Sequence, residues 1–199
     1  MERRVIGILG SPLGEGNTAL LLDTALRGAA DAGCSVEKIM VSQMQISECM
    51  ELMYCKTHPT CKIQDEMIPL YEKVRDCDGM IIAAPIMTMG IPGKLKCFMD
   101  RFQVFFMAKY VRREPLVSAE REKQRQGLFI AISGMNRKDV FSGALLSVAA
   151  FFDIIGMRFA DQLLINNMDH KLDLHRFPDL VDEAYAKGQA LGKLLNSTT

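Results

Sequence analysis

A chain of 199 residues is long enough for one domain that buries about 70% of its unfolded surface, and no Pro- or Ser-rich linker divides it, so a single domain over residues 1–199 is expected. Its 24 Lys and Arg balance its 24 Asp and Glu, which leaves no net field to gather nucleic acid or anionic lipid. The apolar run after Arg3-Arg4 meets Gly10-Ser11-Pro12 after only five residues, too short for a signal-peptide core or a membrane span, and the six cysteines then read as thiols or metal ligands of a cytoplasmic protein rather than a disulfide framework.

In chain order the pattern alternates. Strands are predicted at 4–10, 35–41, 79–84, 127–133 and 158–165, and helices at 17–32, 66–77, 93–107, 142–155 and 178–195. Leu21, Leu22, Ala25, Leu26 and Ala29 fall on one face of the first helix. The runs Met80-Ile81-Ile82-Ala83-Ala84 and Leu128-Phe129-Ile130-Ala131-Ile132 lack polar alternation, as strands covered on both faces of a parallel sheet do. Five strand-helix units predict an α/β doubly wound fold, in which ligands sit beyond the carboxyl ends of the strands. The loops that begin at Gly10, Pro85 and Ser133 should therefore converge.

The first of these loops, Gly10-Ser11-Pro12-Leu13-Gly14-Glu15-Gly16-Asn17-Thr18, carries the strongest functional signal. It joins a strand to the amino end of a helix, where unpaired N–H groups and the positive end of the dipole favour an anion. A nucleoside-triphosphate loop would need a lysine where Asn17 stands, and a dinucleotide fingerprint would need G-x-G-x-x-G with an acid about 20 residues on; neither is present. Hydroxyl, amide and backbone donors suit a phosphate monoester, such as that of FMN. An ordinary glycine-rich turn with a good helix cap is the bland alternative.

The combination G-S-P-x-x-x-G-N-T with A-P-I-M-T-M-G-I-P-G-K-L-K-C-F-M-D-R at 84–101, followed by Ser133-Gly134 and Phe141-Ser142-Gly143, resembles the flavodoxin-like NAD(P)H-dependent FMN reductases and the related iron-sulfur flavoproteins. The resemblance implies a flavodoxin-like, five-stranded parallel sheet with helices on both faces. It implies FMN held by Ser11, Leu13, Asn17 and Thr18 at the phosphate, by Pro85, Ile86, Met87, Thr88, Met89 and Gly90 along the isoalloxazine edge, and by Ser133 and Gly134. Relatives often have an aromatic where Met87 or Thr88 stands, and a second glycine where Met135 stands. NAD(P)H as electron donor, a flavin, quinone or other small-molecule acceptor, and a homodimer or homotetramer follow from the same resemblance. Flavin chemistry demands no acid or base side chain, so no catalytic residue is assigned. The chain has no Trp, and no aromatic in 85–93 or 133–138 to cover both ring faces, which favours a reductase over a carrier that shields its flavin. An electron-transfer protein without NAD(P)H turnover and a non-catalytic binding module remain as alternatives.

Cys49, Cys55 and Cys61 follow the second predicted strand with five residues between neighbours. Iron-sulfur flavoproteins place a compact four-cysteine motif here, and by that register Leu52 takes the second ligand position. Cluster sites use four thiolates, so no iron-sulfur cluster is expected. His58 would complete a Cys3His zinc set; reduced thiols packed at a subunit contact are the plain reading, and no metal ligand is assigned. Phe98, Phe102, Phe105 and Phe106 recur at helical spacing, as core or as a dimer face. The charge run over 109–125 reads as a solvated connection, with NADPH phosphate recognition as a further use of its arginines. His170 and His175 receive no role.

Overall fold

The computed structural model describes residues 2–197. Five strands, β1 (Arg3–Leu9), β2 (Cys34–Met40), β3 (Gly79–Pro85), β4 (Gln126–Ile132) and β5 (Arg158–Ile165), form one sheet of order β2-β1-β3-β4-β5. All pairs are parallel, with Val5 opposite both Val36 and Gly79, and Ile82 opposite Phe129. This is the doubly wound order with its switch point between β1 and β3.

The strand period of two sends Val5, Leu9, Ile81, Ala83, Leu128 and Ile130 to one face, under α1 (Asn17–Asp31). Ile6, Ile8, Met80, Ile82 and Phe129 go to the other, under α2 (Ile68–Asp76) and α3 (Gly93–Asp100). The central strands β3 and β4 are buried almost throughout, which explains their unbroken apolar runs. After α3 come the short α4 (Gln103–Phe106), a π-helical stretch Met107–Arg112, α5 (Ala119–Gln124), α6 (Ser142–Ile154), α7 (Met168–Lys171) and the long α8 (Pro178–Ser197). No helix among the described residues is long and apolar enough to cross a membrane.

Helix α8 lies on α1 at backbone distance. A β-carbon built on Gly188 would fall on the Ala25 carbonyl oxygen, and one on Gly28 would fall on the Tyr185 carbonyl oxygen, so only glycine permits this crossing.

Two expectations are corrected by the structure. The helix predicted over 93–107 is broken: Phe102 donates to Met99 O at 3.0 Å and Phe105 to Phe102 O at 2.8 Å, three residues back, so the turn tightens after Asp100. Phe98, Phe102 and Phe105 are buried in the core, with the Phe98 and Phe102 centroids 5.1 Å apart; Phe106 is half-buried beside Tyr110. The charge run over 109–125 is not uniformly solvated, because Arg125 is fully buried. Its guanidinium donates to Cys77 O at 3.1 Å and Gly156 O at 3.4 Å, and also to Val74 O and Ile155 O. These carbonyls cluster at the C-terminal ends of α2 and α6, whose negative dipole ends hold the cation without a carboxylate. Arg125 immediately precedes β4, at the end of the sheet opposite the β4 loop that begins at Ser133. It therefore does not meet a ligand there.

Candidate functional site

The three loops singled out by sequence leave the carboxyl ends of adjacent strands β1, β3 and β4. Gly10 N donates to Ala83 O at 2.8 Å, and Ile86 N to Ile132 O at 2.7 Å, which ties each loop to its neighbour's strand. A β-carbon on Gly10 would lie 2.6 Å from Leu95 Cδ2, so the first loop sits tightly on α3.

In that loop Ser11 is buried, and its Oγ accepts from Leu13 N at 3.2 Å. The hydroxyl proton is left to donate elsewhere. Gly16, at φ +119°, provides the turn into α1 and no side chain caps the helix, so its leading N–H groups open toward the loop. Thr18 is buried on the first turn, while Leu13 projects into solvent. Asn17 is differently engaged: its Nδ2 donates to Leu172 O at 2.8 Å, and its Oδ1 accepts from Leu174 N at 2.9 Å.

The second loop is a tight reversal. Met87 N donates to Gly90 O at 2.9 Å and Gly90 N to Met87 O at 3.0 Å, with Thr88 at φ +50° and Met89 at φ +62° between them. Two successive left-handed residues make this a type I′ turn, which usually carries Asn or Gly; holding Thr and Met there costs on the order of 1–3 kcal/mol each. The turn is clamped from below, since a β-carbon on Gly143 of α6 would lie 2.6 Å from Met89 O. Met87 and Thr88 are exposed, Pro85, Ile86 and Met89 half-buried.

The third loop contains the most telling atom. Ser133 is 2% exposed and its Oγ has no hydrogen-bond partner. Its backbone is fully engaged, with N donating to Ile165 O at 2.8 Å and O accepting from Met168 N at 2.9 Å. Gly134 leaves room for the Asp169 carboxylate, whose oxygens a β-carbon there would strike. Nearby Asn167, at φ +62°, also has a buried Oδ1 without a partner. Such orphaned polar atoms carry a desolvation cost that a polar ligand relieves.

Sequence reasoning missed the segment from Asn167 to Leu174, which packs against both the first and third loops. Leu172 has φ +60° and ψ −55°, and Asp173 N donates to Lys171 O at 2.6 Å. This is the strained form of the γ-turn, and the Asn17 amide braces it on both sides. Asn167, a residue type tolerant of left-handed backbone, was the one local signal.

The cysteine-bearing segment lies away from these loops, along α3 and α4. Arg101 anchors it: Nη1 reaches Asp65 Oδ2 at 2.5 Å and Ser47 O at 3.0 Å, and Nη2 reaches Asp65 Oδ1 at 3.0 Å and Ile63 O at 3.3 Å. Burial pushes the Asp65 carboxyl up, but Arg101 and the N–H groups of Ser47 and Met67 outweigh it and hold it below the usual carboxylate range. Burial raises the Cys55 thiol, and neighbouring Cys61 and Cys49 raise it further. His58 stacks on Tyr54 with centroids 3.7 Å apart, its Nδ1 directed at Tyr54 O (3.1 Å) and Thr57 Oγ1 (2.9 Å). The segment offers three thiols with Leu52 at the remaining position, and among the described residues no three His, Cys, Asp or Glu side chains converge on a cation position. These residues do not fit a four-thiolate cluster or a Cys3His zinc site.

A five-stranded parallel sheet in this order, with three loops and a helix N-terminus gathered at one end, defines a flavodoxin-like fold. The chain belongs to the NADPH-dependent FMN reductase family, whose model matches residues 3–167. FMN is the cofactor of that family, and the buried, partnerless Ser133 hydroxyl and the open α1 N-terminus fit it. An iron-sulfur flavoprotein of Methanocaldococcus jannaschii is 37% identical over 98 residues, covering 49% of this chain and 51% of that protein. A second from the same organism is 32% identical over 152 residues, covering 76% of this chain and 71% of the relative. The chain thus aligns with about half the length of the first of these relatives. Among solved structures, an NAD(P)H:quinone oxidoreductase from Methanothermobacter marburgensis superposes with TM-score 0.71 at 14% identity, over 96% of this chain and 98% of that one. An FMN-dependent NADH-azoreductase from Bacillus anthracis, in complex with FMN, gives 0.68 at 15%, over 96% and 100%.

Proposed function

We propose that this chain is an FMN-dependent oxidoreductase that accepts hydride from NAD(P)H and passes electrons to a flavin, quinone or other small acceptor. The observation that carries the reading is the buried Ser133 hydroxyl without a partner at the carboxyl end of β4. In this reading Ser11 Oγ–H, the Thr18 hydroxyl and the leading N–H groups of α1 hold the phosphate, where the helix dipole adds its charge preference. Asn17 shapes the loop by bracing the γ-turn at Leu172. The Pro85–Gly90 turn presents backbone along the ring edge, and its clamped, strained geometry fixes that edge in place. Ser133 and Gly134 meet the ring from the third side.

FMN supplies the hydride and single-electron chemistry when bound. The chain's own task is to orient the ring and leave one face accessible, because hydride delivery depends on approach to within roughly 3–3.5 Å. Leu13, Met87 and Met135 are the exposed large apolar side chains of the three loops, and none is a ring that would stack over the flavin and close it off. Two fold neighbours, a quinone oxidoreductase and an azoreductase, are in keeping with a small-molecule acceptor. A homodimer or homotetramer in the cytoplasm belongs to the same proposal. Anaerobic stopped-flow mixing of the FMN-loaded protein with NADH or NADPH tests it. Rapid bleaching of the flavin by either nucleotide is expected; flavin that bleaches with neither, yet is reduced by dithionite, would leave an electron carrier instead.

A further inference from the structure

Six sulfur-bearing side chains line one cavity of about 440 Å³ beside the C-terminal end of α3: Cys49, Cys55, Cys61, Met50, Met53 and Met107. Two of the thioethers are not buried as core residues, since Met50 is 61% and Met53 49% exposed. The backbone that carries them is strained, with Glu51 at φ +48° and Met53 at φ +55°, both left-handed and neither glycine. It is also pinned from several sides. Arg101 holds Ser47 O and Ile63 O, Arg112 donates to Cys55 O, and Lys94 donates to Ile46 O at 3.2 Å. A loop held in strain with apolar thioethers facing water invites a ligand that wants sulfur.

Ligand chemistry narrows the choice. Hard cations require oxygen donors, and zinc or a cluster requires a convergent set of thiolates that these residues do not supply. A soft d10 cation is satisfied by two or three sulfurs, thioether included. We propose that this cavity is a binding site for a soft monovalent cation of the copper(I) class, held by no more than two of the thiolates of Cys49, Cys55 and Cys61, with Met50 and Met53 as thioether partners. Binding releases the thiol protons to solvent and transfers no electrons. The cavity's lining includes no residue of the three loops at the strand ends, and its occupancy does not rest on the reductase reading.

The test uses the FMN-loaded protein with reduced thiols, anaerobically. Copper(I) is presented as its bicinchoninate complex and silver(I) as a redox-silent substitute. Expected are about one copper(I) or silver(I) retained per chain, displacement of copper from the coloured complex, and no zinc(II) retained after desalting. Cys55→Ser/Cys61→Ser should weaken copper(I) retention by at least roughly tenfold, no less than the loss of an outer-shell partner costs. Met50→Leu/Met53→Leu keeps volume at two exposed positions, so it remains interpretable if the serine variant fails to fold; it should weaken retention severalfold, with the flavin spectrum unchanged. Copper left entirely with the chelator, retention indifferent to both variants, or preferential retention of zinc would each overturn the proposal. So would a stoichiometric iron-sulfur chromophore after incubation with ferrous iron and sulfide.

Discussion

Replacing Ser133 by alanine separates a binding hydroxyl from a merely structural one. In the flavin-free chain Ser133 Oγ is buried and has no partner, a condition that costs about 1–3 kcal/mol relative to an apolar atom in its place. With FMN bound, a satisfied hydroxyl at the same position contributes about 0.5–1.5 kcal/mol. Ser133→Ala should therefore leave the flavin-free protein as stable as before or more so, while FMN affinity falls by the sum of the two effects, roughly 1.5–4.5 kcal/mol. The lower end is about tenfold in Kd. Urea unfolding of the flavin-free protein gives the first quantity, and fluorescence titration with FMN gives the second. The two should move in opposite directions. A variant that loses more than about 1 kcal/mol without FMN, yet binds it within about threefold of the original, would refute the assignment.

Neighbouring positions in the phosphate loop should behave differently from one another. Thr18→Val is expected to weaken FMN binding by roughly 1–3 kcal/mol through a lost hydrogen bond to a charged group, with little effect on the flavin-free fold, as isothermal titration would report. Asn17→Ala removes two hydrogen bonds that brace Leu172 and Leu174, so its main effect should be a stability loss of about 1–3 kcal/mol and faster amide exchange over 170–175. Exchange confined to α1 would contradict that division of roles. The Asp65 carboxyl lies below its ordinary value in the folded chain, so the stability it contributes is fully present above the unfolded value near pH 4 and is lost as pH falls through the folded value. Asp65→Asn leaves Arg101 without its buried partner, which should cost about 3–5 kcal/mol at pH 7 and flatten the acid limb of a stability–pH profile. A variant with an acid limb as steep as the parent's would assign that limb to other carboxylates.

The sheet was legible because each of its central strands states its environment locally: an unbroken apolar run such as Met80–Ala84 has few places to go except between two helical layers. The convergence of the loops at Gly10, Pro85 and Ser133 followed from topology, since they leave the same ends of adjacent strands. Other features depend on partners far along the chain. Arg101, at the break in the helix, pairs with Asp65, 36 residues earlier, and no helical periodicity between 93 and 107 encodes either the break or the pair. Arg125 looks like one more charge in a polar connection until the ends of α2 and α6 arrive beside it. Asn17 shows a subtler limit, since an amide at a helix start reads the same whether it grips an anion or a strained turn. Local sequence names the donor; the fold chooses what it is offered.

The contact of α8 with α1 through Gly28 and Gly188 ties the last helix to the first mechanically. The family match ends at residue 167, yet the splint along α1 is supplied by residues 178–197. Proteolytic trimming before Pro178 would uncover the flank of α1 and loosen its N-terminus, so retention of the yellow prosthetic group becomes a readout of whether the final helix is docked.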